Sequence, residues 1–350
     1  MLFSKKIEPI ALDIGSTFIK LVQLKGSGKN LTLVKFGMVP LPPEVIVEGA
    51  VMDANRVSEA IKELLAAHKV KTKEVVLSVS GSSVIIKRVS IADMTEEELA
   101  ESIKWEAEQY IPFSIDDVNV DFQKLGQGVS EGQADVLLVA VKKDKINDYV
   151  NLVKDAGLEP VVVDVDAFAL ANMYELNYEM EGGITALLNI GASVMNINIL
   201  REGASIFTRD ITVGGNRYTE ALQRDAGASY EDAEKIKRGE DVDGVDRDQV
   251  ATILATVTED IVGEIQRSFD FFRSTTGSDR VSHVLVSGGC AKIPQFTRIL
   301  AERLELAVDV LNPFKNIKVD PKSFDMAVIN ESSPLAAVAV GLAMRRPGDR

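Results

Sequence analysis

The turn Asp-Ile-Gly-Ser-Thr-Phe-Ile-Lys, which begins at Asp13, has the residue types best suited to chemistry. A glycine- and hydroxyl-rich turn between two apolar strands can aim backbone N–H groups at an anion. Gly15 allows close approach of the backbone, and Ser16 and Thr17 add hydroxyl donors. Lys20 can bring a positive charge to a phosphate, while Asp13 can hold Mg²⁺ through the water shell of the ion. A plain hairpin turn without a ligand is the alternative interpretation, and one short motif does not decide between them.

A second turn of the same kind, Asn-Ile-Gly-Ala-Ser, lies about half-way along the chain. Its candidate binding residues are Asn189, Gly191, Ala192 and Ser193. The run Leu-Asp-Ile-Gly at 12–15 recurs as Leu-Asn-Ile-Gly at 188–191, each between two strands of a predicted meander. Two such turns facing each other across a cleft can grip a polyphosphate from both sides. The sequence therefore predicts an internal duplication by architecture, although the sequence similarity between the halves is weak.

Two further segments carry candidate binding residues. Gly288 and Gly289 follow a predicted buried strand and precede a helix, where glycines let a flat purine ring lie against the backbone. Glu234 and Lys237 share one face of a predicted helix and can hydrogen-bond a ribose. A solvated surface ion pair is the commoner situation for two such residues, so that alternative stays open.

Hydrophobic periodicity predicts the elements that position these residues. The first half begins with strands at 9–13, 18–24 and 31–36, a helix at 55–67 and a strand at 74–79. The second half begins with strands at 185–190, 195–200 and 205–211. The elements predicted after them are helices at 215–225, 229–238 and 250–272, a strand at 283–287, and helices at 294–304 and 334–344.

Residues 82–160 are predicted to form a separate small α+β unit. Its predicted elements are strands at 83–91, 118–125 and 135–141, a helix that begins at Thr95, and a helix at 144–156. Thr95 and Glu98 match a capping box. The apolar stripe of this helix contains Leu99, Ile103, Ala107 and Tyr110, and Trp105 lies nearly opposite. A strand at 161–165 and a helix at 167–178 follow.

The composition argues against several classes of function. A formal net charge of −14 disfavours attraction to nucleic acid or anionic lipid. The single cysteine, Cys290, excludes an intramolecular disulfide and fits a reducing compartment. His68 and His283 are far apart in sequence, which argues against a histidine-based zinc site. We also expect neither a secretory signal nor a membrane-spanning helix, since no apolar run is long enough, and hence a cytoplasmic protein.

The order of the four segments (two phosphate turns, a ribose helix and an adenosine loop) resembles the actin, Hsp70 and sugar-kinase superfamily over nearly the whole chain. The resemblance implies an α/β fold of the actin-like (ribonuclease H-like) type, with two lobes that clamp ATP and Mg²⁺. It also implies that 211–215 and 335–342 connect the lobes. The residues that it places at the ATP site are Asp13, Gly15, Ser16, Thr17, Lys20, Asn189, Gly191, Ala192, Ser193, Gly214, Gly215, Glu234, Lys237, Gly288 and Gly289, with Asp13 holding Mg²⁺ through water.

Asn189 departs from the superfamily pattern, which usually has Asp at the second phosphate turn. A neutral amide cannot accept a proton or fully replace a carboxylate near Mg²⁺. The sequence shows no other obvious general base, so no catalytic residue is assigned. We expect ATP binding with slow or absent hydrolysis. A vigorous ATPase or a kinase of the same fold is the alternative.

The unit at 82–160 narrows the resemblance. The division protein FtsA and the type IV pilus assembly protein PilM both carry an extra subdomain, 1C, in this place, and residues 101–113 with 118–123 resemble PilM. FtsA also has a C-terminal amphipathic membrane helix, whereas this sequence stops at 350 after the predicted connecting helix. The PilM family is therefore favoured, and an FtsA-like division role or a type II secretion role stays open.

The same resemblance implies a division into subdomains. The predicted parts are 1–81 and 161–184 for subdomain 1A, 82–160 for the inserted 1C, 185–227 and 282–332 for 2A, 228–281 for 2B, and 333–350 for a C-terminal helix that returns to 1A.

The resemblance also implies a partner. The protein would belong to the type IV pilus inner-membrane platform, bind the N-terminal cytoplasmic tail of PilN, and respond to the pilus motor ATPases through that assembly. It would be cytoplasmic and peripheral to the inner membrane through its partner; self-association is left open. We expect the tail to dock between the insertion and the first lobe. The candidate contacts are Val84, Ile85, Ile86, Trp105, Tyr110 and Phe113. Apolar runs are usually core, so the exposed Trp105 is the best candidate.

Overall fold

The computed structural model describes residues 8–128, 132–180, 182–276 and 279–349. Residues 1–7, where no secretory signal is expected, and Arg350 lie outside the described residues. Within the described ranges the chain forms two lobes, each built on a five-stranded mixed sheet, and a three-stranded sheet inserted into the first lobe. This architecture agrees with the predicted actin-like fold.

The first lobe begins with a meander whose alternating side chains enter two different cores. Its first elements are β1 (Ile10–Ile14), β2 (Phe18–Lys25), β3 (Thr32–Pro40), the short hairpin β4 (Ile46–Val47) and β5 (Ala50–Val51), α1 (Ala54–Ala67) and β6 (Glu74–Val79). Ile10 and Leu12 of β1 face the core that contains α1, whereas Ala11 faces the opposite core. A sheet buried on both faces has helices on each side.

The insertion is an antiparallel sheet covered by one helix. Its elements are β7 (Val84–Ala92), α2 (Glu96–Glu108), β8 (Val118–Gln127) and β9 (Gln133–Lys142), with strand order β7-β9-β8. Thr95 and Glu98 form the predicted capping box. Leu99, Ile103 and Ala107 are buried as the stripe predicts, and Trp105 is 75% exposed. The periodicity therefore predicted both faces of α2 correctly.

Helix α3 (Lys143–Asp155) packs differently from the prediction, which grouped residues 143–160 with the insertion. Its residues Tyr149, Leu152 and Val153 enter the first-lobe core beside α1 and β6. Ser58 of α1 also donates a hydrogen bond to the carbonyl of Leu152 at 2.9 Å. The chain then continues through β10 (Glu159–Val165) and α4 (Asp166–Asn177), and β10 pairs in parallel with β6. By packing, α3 thus belongs to the first lobe.

The second lobe repeats the opening meander. Its elements are β11 (Ile184–Ile190), β12 (Met195–Arg201), β13 (Ala204–Ile211), α5 (Asn216–Ala226), α6 (Tyr230–Lys237), α7 (Arg247–Thr276), β14 (His283–Ser287), α8 (Phe296–Leu304) and β15 (Ala307–Val310). The strand order is β13-β12-β11-β14-β15, which matches the β3-β2-β1-β6-β10 order of the first lobe. The shared strand order supports the predicted duplication. Strand β15, like the hairpin β4–β5, was not predicted from the sequence.

The last elements return to the first lobe. They are α9 (Met326–Ser332), a 3₁₀ turn (Ser333–Ala336) and α10 (Ala337–Ala343), where one helix at 334–344 was predicted. Helix α10 packs on α4 and on strands β1 and β2. By length and composition, one segment of the described chain, Met326–Ala343, is apolar enough to cross a membrane, but 61% of it is buried inside the protein. That burial is typical of a core helix.

Candidate functional site

A cavity of about 450 Å³ lies between the two lobes. It occupies the carboxyl ends of the parallel strands of both sheets, where ligands of open α/β sheets bind. The predicted site residues that line it are Asp13, Gly15, Ser16, Thr17, Lys20, Asn189, Gly191, Ala192, Ser193, Gly215, Glu234, Lys237, Gly288 and Gly289. Of the predicted set, Gly214 alone does not line the cavity. The structure thus brings together residues from all four segments.

The first turn places one positive and one negative side chain at the cavity. Asp13 and Lys20 are cross-strand neighbours on β1 and β2, and Lys20 Nζ lies 3.0 Å from Asp13 Oδ2. The turn closes through a hydrogen bond from the Gly15 amide to the Phe18 carbonyl at 3.1 Å. A Cβ atom at Gly15 would lie 3.0 Å from Lys20 Nζ. The absence of a side chain at Gly15 therefore leaves room for the ammonium group.

The second turn closes in the same way. The Gly191 amide donates to the Val194 carbonyl at 3.0 Å, three residues on, as Gly15 does to Phe18. The carbonyl of Gly191 then accepts from the Gly215 amide at 2.9 Å. A Cβ atom at Gly214 would lie 2.4 Å from that carbonyl oxygen. Gly214 is thus required for backbone packing behind the turn.

The remaining predicted residues line the second-lobe side of the cavity, close to the second turn. Lys237 Nζ lies 2.6 Å from Glu234 Oε1 and 2.9 Å from Thr219 Oγ1. This pair is only 12% and 22% exposed, which argues against the solvated surface pair. Gly288 has a φ of +84°, and a Cβ atom there would meet the Ile190 carbonyl oxygen at 2.3 Å. Burial raises the pKa of the adjacent Cys290 thiol to about 12, so this thiol is protonated at neutral pH.

A carboxylate that was not predicted from the sequence lies in the same cavity. Asp166 follows β10 directly and lines the cavity beside Ser78, near the end of β6, and Ser80, just after it. The Ser78 hydroxyl donates to Asp166 Oδ1 at 2.5 Å. The parallel pairing of β1, β6 and β10 places their carboxyl ends at one edge of the sheet. A search of the sequence for polar residues at the ends of predicted strands could therefore have found Asp166.

The charge state of Asp166 depends on its surroundings. Burial and the negative charges of Asp13 and Asp210 raise the pKa of this carboxyl to about 6, against the opposing effect of hydrogen bonds from Ser78 and Ser80. A carboxyl that titrates near neutrality can accept a proton from a bound water or hydroxyl. Asp166 therefore has the chemistry of a general base, which the sequence alone did not reveal.

Asp166→Asn is expected to stabilise the protein near neutral pH. Because the folded-state pKa of about 6 lies above that of an unfolded aspartate, about 3.9, the folded protein binds this proton more tightly. The free energy of unfolding therefore falls as the pH rises from about 4 to 6 and stays lower above pH 6. We expect the variant to gain on the order of 1–3 kcal/mol at pH 7.5 and little at pH 4, as measured by urea unfolding. The same substitution at the exposed Asp243 is the control, and an equal gain at both pH values would contradict the assignment.

The residues present fit a magnesium–nucleotide complex better than a directly bound metal. Among the described residues, no group of three His, Cys, Asp or Glu side chains is placed to bind a metal ion. Mg²⁺ at nucleotide sites usually keeps several waters and takes one or two carboxylates together with the phosphates. Asp13 and Asp166 both line the cavity and suit that role. A bound Mg²⁺ would neutralise phosphate charge at this end of the cavity.

The candidate partner residues divide between core and surface. Val84 and Ile86 pack on the first-lobe core, whereas Ile85, Tyr110 and Phe113 pack on the core of the insertion. Val84, Ile85 and Ile86 also line a groove of about 150 Å³ against Thr208, Arg209 and Asp210 of β13. Val79 and residues 165–167 of the first lobe line it as well, so this groove lies where the insertion meets both lobes. Trp105, by contrast, stands on the exposed face of α2.

Comparison with known proteins identifies the family. The family model described as "Type IV pilus assembly protein PilM" matches residues 11–347. A solved "PilM-PilN type IV pilus biogenesis complex" is 30% identical, with 97% of this chain and 98% of that chain covered and a TM-score of 0.85.

More distant solved structures share the fold alone. The ethanolamine utilization protein EutJ from Carboxydothermus hydrogenoformans is 16% identical, with 96% of this chain and 89% of that chain covered and a TM-score of 0.57. MreB 5 of Spiroplasma citri bound to AMPPNP is 12% identical, with 96% and 95% covered and a TM-score of 0.53. Since the PilM model matches nearly the whole chain, the protein belongs to the type IV pilus assembly protein PilM family.

Proposed function

We propose that this protein is an ATP-binding scaffold of the type IV pilus assembly platform, which holds the N-terminal cytoplasmic tail of PilN and hydrolyses ATP slowly or not at all. One observation carries the nucleotide part of the proposal. Two hairpin turns from opposite lobes, closed by the same glycine hydrogen bond, line one cavity together with the Asp13–Lys20 pair.

The phosphates of ATP are assigned to the end of the cavity between the two turns. No backbone hydrogen bond within the described chain engages the amides of Ser16, Thr17 and Ser193, so these N–H groups can serve an anion. Lys20 supplies the positive charge at this end. The ribose and purine are assigned to the second-lobe side of the cavity, where Lys237 and Glu234 offer polar atoms and the exposed Gly289 offers a flat backbone surface. Asp13 and Asp166 would hold Mg²⁺ through water.

We expect slow hydrolysis because the Asn189 side chain is neutral and is already hydrogen-bonded to two neighbouring side chains. Its amide donates to Asn196 Oδ1 at 3.0 Å, and its oxygen lies 3.2 Å from Ser287 Oγ. A neutral amide whose two ends are already paired cannot accept a proton from water. Asp166 favours the second candidate function, an active ATPase, because a carboxyl with a pKa of about 6 can act as a base.

A phosphate-release assay with Mg-ATP distinguishes the two candidates. We expect turnover well below 1 s⁻¹, which is a low but ordinary enzyme rate. Any residual turnover is expected to disappear in Asp166→Asn and to remain in Asp243→Asn. Steady turnover at or above about 1 s⁻¹ would establish the ATPase and contradict the scaffold assignment.

The partner-binding part rests on the relative and on the surface of α2. The 30% identical relative was solved as a PilM-PilN complex, which supports a PilN tail as the occupant here. Trp105 is 75% exposed. Glu101 and Glu108, at helical spacings i−4 and i+3 from it, are exposed on the same face of α2. An exposed aromatic flanked by carboxylates suits a tail that combines apolar and basic residues.

Trp105→Ala is expected to weaken binding of a PilN tail peptide by about 10-fold or more. Interface hot spots are enriched in Trp and cost about 2 kcal/mol or more when truncated, and every 1.4 kcal/mol is about tenfold in affinity. The affinity would be measured by fluorescence anisotropy of a labelled peptide. Phe271→Ala is the matched control, since Phe271 is an exposed aromatic (55%) on the second lobe. Equal affinity of wild type and Trp105→Ala would place the docking surface elsewhere. Ile85→Asp is the weaker test, because Ile85 contributes to the core of the insertion.

A further inference from the structure

A row of polar side chains crosses the sheet of the second lobe. Asn189 of β11 is the register partner of Ser287 on β14 and of Asn196 on β12, and Asn196 is the partner of Asp210 on β13. Directly paired residues project from the same face of a sheet. Ser287 is 0% and Asn196 is 3% exposed. Four adjacent strands thus present one continuous polar row, Ser287-Asn189-Asn196-Asp210.

The hydrogen bonds along this row have a defined direction. Asp210 accepts from the Gly81 amide at 2.6 Å and from Asn196 Nδ2 at 2.8 Å. Because an ionised carboxylate only accepts, Asn196 must turn its NH₂ group to Asp210 and its oxygen to Asn189. Asn189 Nδ2 donates to that oxygen at 3.0 Å. An aspartate at position 189 would face the Asn196 oxygen with no proton between them, so the row requires an amide there.

The Asp210 end of the row contacts residues 78–83, the segment that connects β6 to the first strand of the insertion. Gly81 belongs to the first lobe and is buried, and its contact with Asp210 joins the two lobes. Its carbonyl accepts from the Val84 amide at 3.0 Å, where β7 begins, and the Ser83 carbonyl accepts from the Lys142 amide at 3.1 Å, where β9 ends. Ser78, just before, is bound to Asp166 in the cavity. Residues 78–83 therefore contact the cavity, the second lobe and both ends of the insertion.

We propose that the row Ser287-Asn189-Asn196-Asp210 transmits the state of the nucleotide cavity to the insertion through the Asp210–Gly81 contact. When the lobes close on a nucleotide, Asp210 holds Gly81 and the root of the insertion is fixed. When the lobes separate, this contact is lost and residues 78–86 loosen. The inference rests on the proposed function, since it needs a nucleotide in the cavity, and it gives Asn189 a role beyond slow hydrolysis.

The proposed coupling between the nucleotide cavity and the insertion has an expected magnitude, and it must act in both directions. Allosteric couplings are typically worth about 5- to 150-fold in affinity, and a nucleotide that favours the tail-binding state must be favoured by the tail to the same extent. The coupling requires the contact between β13 and the first residues of the insertion, which is formed in this structure, to have a second, broken arrangement. Only the hydrogen bond between Asp210 and Gly81 needs to form or break. The other hydrogen bonds of the row join side chains of the second lobe to one another and can stay in place.

Hydrogen–deuterium exchange of the full chain with and without Mg-AMPPNP tests the proposal. In the wild type we expect AMPPNP to slow exchange of the amides in residues 79–86 by about 5-fold or more. Asp210→Asn keeps the size of the side chain but offers one oxygen and one NH₂ to two donors, Gly81 and Asn196, so one contact is lost. In this variant we expect AMPPNP still to bind and the slowing at 79–86 to fall below about 2-fold.

The controls separate this inference from the proposed function. Asp225→Asn makes the same change at an exposed carboxylate of the second lobe, paired with Arg224, and should behave as wild type. Failure of the wild type to bind AMPPNP would overturn the proposed function and this inference together. Equal slowing in wild type and Asp210→Asn, or loss of AMPPNP binding by Asp210→Asn, would overturn this inference and leave the proposed function standing.

Discussion

Gly341→Ala is expected to lower the free energy of unfolding by about 3 kcal/mol or more, a large effect for the addition of one methyl group. Gly341 lies in α10 where this helix crosses α4, and a Cβ atom there would lie 1.8 Å from the Ala169 carbonyl oxygen and 2.5 Å from its carbonyl carbon. Both obstacles are backbone atoms of a buried helix, so neither can rotate away. The two helices would have to separate, and the apolar contacts on both sides of the crossing would loosen.

The matched control for this variant is Gly263→Ala in α7. Gly263 is also a helical glycine, but the nearest atom to a Cβ there is the mobile end of Arg267, at 3.6 Å. Alanine is the better helix former by about 1 kcal/mol, so this variant should be slightly more stable than the wild type. Urea unfolding followed by circular dichroism measures both. A loss below about 1 kcal/mol for Gly341→Ala would show that the crossing can relax.

Lys20→Ala is expected to weaken ATP binding by about 10- to 100-fold, because Lys20 is the cation at the phosphate end of the cavity. Hydrogen bonds to charged groups are worth about 1.5–3 kcal/mol, and every 1.4 kcal/mol is about tenfold in affinity. Removal of Lys20 also leaves the Asp13 carboxylate without its partner at 3.0 Å. That charge would then repel the phosphates, which adds to the loss.

Titration calorimetry with Mg-ATP measures the Lys20 effect. Lys25→Ala is the control, because Lys25 is an exposed lysine at the far end of the same strand β2. Both variants should keep the wild-type circular dichroism spectrum. An affinity of Lys20→Ala within about threefold of wild type would mean that the phosphates bind away from the first turn.

Local patterns predicted the parts of the site that depend on neighbours in sequence. The two glycine turns, the capping box at Thr95 and the exposed position of Trp105 each follow from residues within a few positions of one another. The fold class followed from their order along the chain. The hairpin β4–β5 and strand β15 were missed because runs of two to four residues carry almost no periodicity.

Features that depend on distant segments could not be predicted in the same way. Asp166 reaches the cavity because β10 pairs with β6, a pairing that no local pattern encodes. The contact between Asp210 and Gly81 joins residues 129 positions apart. Helix α3 shows an amphipathic pattern, but its sequence does not say which lobe covers the apolar face. It was therefore grouped with the insertion, whereas it packs beside α1.

The position of α10 has a consequence for synthesis of the protein on the ribosome. The apolar faces of β1, β2 and α4 are covered by residues 337–343, which are made long after them. The core of the second lobe, in contrast, draws its buried residues from the continuous stretch 184–300. We therefore expect the second lobe to become compact on the nascent chain while the first lobe still exposes one side of its sheet. Nascent chains that stop before residue 337 should consequently bind chaperones or aggregate, although they contain every residue of the two phosphate turns.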